Sequence, residues 1–155
     1  MHYIILFVAE YAIIVAGLIA ILYWLTLNKT DKVRFAVFGL IAGLVGLVLM
    51  KVGAVMFYDP RPFVSHNLVP LFPHAADNGF PSDHTALAAV IAVTVFAFSR
   101  RLGFALFVLA LAIGLARVFG HVHSPIDIVG SIVFAFLSGA VAYYLTPKLM
   151  KRLKV

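Results

Sequence analysis

From Ile4 to Leu27 the chain carries a single charged residue, Glu10, in an otherwise apolar run. At about 1.5 Å per residue, a run of that length crosses a hydrocarbon core of roughly 30 Å. Lipid offers the backbone no hydrogen bonds, so such a segment must satisfy itself as a helix. Four more apolar runs follow: about Val33 to Tyr58 with Lys51 inside it, His84 to Ser99, Leu102 to about Gly120, and Ile126 to Thr146. The expected fold is all-α: a polytopic membrane bundle of about five transmembrane helices, with a polar loop between the second and third. It is expected to form one integral membrane domain over residues 1–155. No Lys or Arg precedes the first run and no small-residue cleavage site follows it. That run is therefore expected to be a retained helix and not a signal peptide.

Hydrophobic residues make up 64% of the chain, against roughly 45–50% in a soluble domain. The chain has no cysteine, which excludes disulfides, a thiolate nucleophile and thiolate metal sites. A net charge of +6 would suggest nucleic acid in a soluble protein. Here the cations flank apolar runs and act as orientation signals, so no nucleic-acid partner is expected, and no obligate protein partner is evident.

Five crossings put the connections on alternating sides. Lys29, Lys32, Arg34, Arg100, Arg101, Lys148, Lys151, Arg152 and Lys154 fall on one side; Arg61 and Arg117 are the cations of the other. The positive-inside rule then puts the C-terminus in the cytoplasm. The long loop "DPRPFVSHNLVPLFPHAADNGFPSD" and the insert "HVHSP" lie on the outer, periplasmic face of the cell membrane.

On that face "DPRPF", "FPSDHT" and "ARVFGHVHSPID" converge, gathering Arg61, Ser82, Asp83, His84, Arg117, His121, His123 and Asp127. Each piece has an ordinary structural role. Ser124, Pro125 and Asp127 fit a helix start with a capping box. Ser82 fits an N-cap, with Asp83 complementing the helix dipole. Arg61 and Arg117 fit interfacial anchors that snorkel. His66, His74 and His121 fit loop hydrogen-bonders. These roles do not explain the combination. Two helix N-termini, each with a His, face a space supplied with two Arg. Helix N-termini bind anions, and guanidiniums match phosphate oxygens. The two imidazoles supply a nucleophile and a proton donor.

These segments resemble the signature of the type-2 phosphatidic acid phosphatase superfamily. That signature is Lys, six residues, Arg-Pro; then Pro-Ser-Gly-His or a close variant; then Ser-Arg, five residues, His, three residues, Asp. Arg61-Pro62, Pro81 to His84, and Arg117, His123 and Asp127 stand in the corresponding places, spanning about half of the chain from Lys51 to Asp127. "PRPF" and "FPSDHT" look most like bacterial undecaprenyl-diphosphate phosphatases. Two positions depart from the pattern: Ala116 stands where the family has Ser, and Ala54 where it has Lys. Lys51, one turn deeper, is expected to pair with Glu10, with direct phosphate contact as the alternative. The family usually has six helices, so the missing one should be N-terminal and outside the catalytic core.

The resemblance implies a lipid phosphatase working through a phosphohistidine. His123 is the nucleophile, Asp127 its orienting carboxylate and His84 the general acid and base. Arg61, Arg117, Ser82, Asp83 and Lys51 bind phosphate, and no metal or cofactor is required. The substrate it implies is a lipid phosphate held in the bilayer. A polyprenyl diphosphate cleaved to its monophosphate comes first, with a place in cell-wall biosynthesis. Phosphatidic acid, phosphatidylglycerol phosphate and lipid A phosphate are alternatives. His74, Asp77 and Asn78 are secondary candidates shaping the head-group pocket. Readings of other classes are a metal-dependent membrane hydrolase using "HVH", Asp127 and His84, and a small transporter.

Overall fold

The structure, a computed structural model, describes residues 2–153. It contains α1 (His2–Thr26), α2 (Lys29–Met56), a single turn α3 (Pro62–Ser65), α4 (Asp83–Phe96), α5 (Arg100–Phe119) and α6 (Pro125–Leu153). Helices α1, α2, α5 and α6 are each long and apolar enough to cross a bilayer. The third expected crossing is different: α4 has 14 residues, or about 21 Å at roughly 1.5 Å per residue, which is short of the hydrocarbon core. Its surroundings explain why that suffices. It packs against all four long helices, and Ala86, Ala88, Ala89, Ala92 and Val95 are buried. Irregular backbone at membrane depth is tolerated when protein, not lipid, surrounds it.

The polar stretch "NKTDKVR", which falls where the first two apolar runs meet and so reads as a link between them, is mostly helix. Asn28 is the N-cap of α2, its Oδ1 accepting from the Asp31 amide at 2.9 Å. An Asn cap with an acid in the first turn is a strong start signal, so these polar residues form the first turns of α2.

Small residues let the helices approach closely, as membrane bundles require. Ala9, Ala12 and Ala16 form the buried stripe of α1. A Cβ on Gly53 of α2 would stand 2.6 Å from the Phe134 ring of α6. Lys29, Arg34, Arg100, Arg101, Lys148, Lys151 and Arg152 are exposed at one end of the bundle; Lys154 lies outside the described residues. Trp24, whose Nε1 donates to Lys32 O at 3.0 Å, and exposed Tyr143 and Tyr144 form an aromatic girdle near that end.

The opposite end is roofed by the long loop. An isolated bridge joins Pro60 to Asn78, and Gly79 N donates to Asp59 O at 2.8 Å. Asn78 Nδ2 donates to Ala54 O and Phe57 O at 2.9 and 3.0 Å, closing the end of α2. The α5–α6 connection supplies further acceptors: Phe63 N donates to His121 O at 3.0 Å and Leu71 N to Gly120 O at 3.1 Å. The loop's polar backbone is thereby anchored to the other functional segment.

Candidate active site

The ends of α4, α5 and α6 are tied together by short polar contacts. Ser131 Oγ donates to both Ser82 O (2.9 Å) and Asp127 O (2.7 Å), fixing the start of α4 against the start of α6. His121 adopts a left-handed φ of 62°, a conformation uncommon outside glycine, and so reverses the chain between Arg117 and His123. Its Nδ1 lies 3.1 Å from Val69 O, the loop hydrogen-bonding expected of it.

His123 is 3% exposed and Asp127 0%. His123 Nδ1 donates to Asp127 Oδ2 at 3.0 Å, and the same oxygen accepts from the Ser124 amide at 2.9 Å. Asp127 therefore serves both the capping and the orienting role. Ser124 Oγ does not cap the helix; it donates to Asp59 Oδ2. With the proton on Nδ1, His123 Nε2 is left as a lone pair, 3.3 Å from Arg61 Nη1. Burial holds this imidazole below its ordinary range, opposed by the Asp127 hydrogen bond and reinforced by the Arg117 and Arg61 charges.

Neither arginine snorkels. Arg61 is 6% exposed and Arg117 2%. Arg61 donates from Nε to Asp77 Oδ1 (2.7 Å), from Nη1 to Val122 O (2.7 Å) and from Nη2 to Asn78 O (3.3 Å). Arg117 Nη1 reaches Ala9 O (3.3 Å) and Glu10 Oε1 (3.2 Å), and Nη2 meets His74 Nε2 at 2.8 Å. Among the described residues Arg117 Nε has no hydrogen-bond partner.

The expected Lys51–Glu10 ion pair does not form. The two residues share a depth but not a direction, because α1 packs on α4 and α5 and barely touches α2. Glu10 pairs with Arg117 instead.

A cavity of about 760 Å³ joins these groups. Its polar end is lined by His123, Arg61, Arg117, His74, Asp77 and Asn78, and Lys51, Asp83 and His84 line its walls. His84 makes no side-chain hydrogen bond among the described residues and faces this space. His74, expected only to shape the pocket, stands with its ring centroid 6.0 Å from that of His123. Burial, then the charges of Arg61 and Arg117, lower its pKa to about 4, consistent with a neutral ring accepting from Arg117.

Ser82 departs from expectation. It is fully buried, is not among the cavity-lining residues, makes no side-chain cap, and accepts from Thr85 Oγ1 at 3.0 Å. His66 is exposed and meets Ser65 Oγ, away from the cavity. The "HVH" imidazoles part company, one toward Val69 O and one toward Asp127. Among the described residues no group of three His, Asp or Glu side chains is arranged to hold a metal ion.

Sequence reasoning missed Asp59, which holds Ser124, and Gly79, where a Cβ would stand 2.9 Å from Asp127 Oδ2. Position offered a signal for both: Asp59 opens "DPRPF", and Gly79 directly precedes "FPSDH".

Residues 32–151 match the PAP2 superfamily. The chain is 38% identical over 136 residues to undecaprenyl-diphosphatase BcrC of Bacillus subtilis (strain 168), covering 88% of this chain and 70% of that protein. It is 35% identical over 145 residues to bacitracin transport permease protein BcrC of Bacillus licheniformis, covering 92% and 70%. The fold is similar to the crystal structure of Aquifex aeolicus LpxE, with a TM-score of 0.73, 24% identity, and coverage of 92% of this chain and 86% of that one.

Proposed function

The chain belongs to the PAP2 superfamily, and from that premise we propose that it removes the terminal phosphate of a polyprenyl diphosphate, undecaprenyl diphosphate above others, leaving the monophosphate. One observation carries the reading: His123 has one ring nitrogen on a buried carboxylate and the other, unprotonated, beside Arg61 in the cavity. That is a positioned, neutral nucleophile next to a phosphate-binding guanidinium.

In the first step His123 Nε2 attacks the terminal phosphorus, forming the P–N bond as the bridging P–O bond breaks. His84 gives its proton to the leaving oxygen, which stays on the lipid monophosphate. Asp127 stabilises the imidazolium that forms, as in a Ser-His-Asp triad. In the second step His84 takes a proton from water, the hydroxyl attacks phosphorus, and the P–N bond breaks to release inorganic phosphate. Arg61, Arg117 and the first-turn amides of α4 beside Asp83 balance the charge on the equatorial oxygens. Ser82, turned into the protein, acts through the backbone that positions these amides. Residues 1–155 work as one integral membrane domain.

The cation asymmetry supports a cytoplasmic C-terminus and an active site on the periplasmic face. A transporter would need polar groups along a path across the bilayer. Beneath Lys51 the cavity wall is Gly43, Gly46, Leu47 and Val90, which suits a lipid chain. Phosphatidic acid or phosphatidylglycerol phosphate would give the same chemistry on another tail.

Purified, chelator-treated protein is expected to release phosphate from farnesyl or undecaprenyl diphosphate. His123→Ala is expected to release none while remaining folded, as a cooperative melting transition would show. Turnover by that variant, or wild-type activity abolished by chelator, would overturn the reading.

A further inference from the structure

Lys51 lies on the face of α2 that walls the cavity, where Gly43, Gly46, Leu47, Met50, Lys51 and Ala54 recur at helical spacing. It is exposed. Among the described residues it makes no ion pair, and the acids around it are occupied or distant. Glu10 holds Arg117, Asp77 holds Arg61, Asp127 holds His123, and Asp83 shares the cavity without pairing with it. Helix α2 ends at Met56, so Lys51 sits about 7–8 Å inside that end at roughly 1.5 Å per residue. An ammonium at such depth is costly and marks a place where an anion is met.

The order of groups along the cavity identifies the anion. At the polar end, Arg61 Nη1 lies 3.3 Å from His123 Nε2 and Arg117 lines the same cavity, so the two guanidiniums take the phosphate under attack. Lys51 comes next, one helical turn below Ala54, whose carbonyl is closed at loop level by Asn78. Below Lys51 the wall turns apolar. A lipid diphosphate has the same order: terminal phosphate, proximal phosphate, chain. We propose that Lys51 binds the lipid-proximal phosphate, making the site selective for diphosphate over monophosphate head groups. This rests on the phosphatase reading above and deepens it. The proximal phosphate also keeps the bridging oxygen when the P–O bond breaks, so an ammonium there meets charge as it develops.

Two substrates with one chain separate the possibilities: farnesyl diphosphate and farnesyl monophosphate, assayed for phosphate release with wild type, Lys51→Met and Lys51→Arg. Lys51→Met is expected to lower kcat/KM on the diphosphate roughly 10- to 100-fold, the range of a hydrogen bond to a charged group. Its monophosphate turnover should stay within about 2-fold of wild type, and Lys51→Arg should recover part of the diphosphate activity. Equal losses on both substrates would overturn the assignment, as would no loss on either, the result of an ammonium that merely snorkels. Wild type that hydrolyses neither substrate would sink the phosphatase reading itself and the Lys51 assignment with it.

Discussion

Replacing Gly79 with Ala adds one methyl group at the most constrained point behind the nucleophile. Its Cβ would stand 2.9 Å from Asp127 Oδ2, 3.1 Å from Asp59 O and 3.5 Å from Arg61 Cγ. Carbon needs about half an ångström more than the first of these distances for ordinary contact. Neither oxygen can easily give way. Asp127 Oδ2 is pinned by His123 Nδ1 and the Ser124 amide, and Asp59 O is held by the Gly79 amide itself. Overpacking of this kind costs roughly 1–3 kcal/mol of stability. A displacement of that size at the orienting carboxylate is expected to lower kcat roughly 10- to 100-fold, with KM changing less, because the phosphate-binding arginines keep their partners. The assay is phosphate release from farnesyl diphosphate beside thermal melting. The mechanism also predicts non-additivity: in an Asp127→Ala background the nearer of the two oxygens is gone, and Gly79→Ala should cost less there than it does alone. Wild-type kcat in the single variant, or full additivity in the pair, would refute the reasoning.

Two further outcomes are open to direct measurement. His74 titrates at about 4 in the folded protein against an ordinary 6.5, so on acidification the unfolded chain binds a proton first. Stability from this group is fully present above pH 6.5 and lost as pH falls toward about 4; His74→Gln should flatten that part of the melting-temperature profile, and an unchanged slope would count against it. The chain has no cysteine, so Val69→Cys in the long loop and Lys151→Cys near the far end give clean topology probes. An impermeant maleimide added to intact cells should label the first and not the second; the reverse pattern would put the site on the cytoplasmic face.

Much of the molecule was legible in its sequence because lipid imposes simple rules. The apolar runs and the helix start at Ser124-Pro125 locate helices whatever their neighbours do, whereas Asn28, the N-cap of α2, sits in a polar stretch that reads as a link. The convergence of Arg61, His84, Arg117 and His123 follows from counting crossings. What escaped depends on direction and not on depth. Glu10 and Lys51 match in level, yet the packing of α1 on α5 turns the carboxylate toward Arg117. Ser82 has the composition of a cap, but its hydroxyl meets Thr85. The 14 residues of α4 suffice only because four helices enclose it, which no local pattern reports. His74 reads as a loop residue until the fold of residues 59–83 sets it against Arg117.

The covalent step offers the most direct test. Wild-type protein mixed with diphosphate labelled in its terminal phosphate and quenched within a turnover should carry acid-labile label on the peptide containing His123. Label on a different residue, or continued turnover with no phosphorylated protein at any time, would contradict the nucleophilic role on which the mechanism is built.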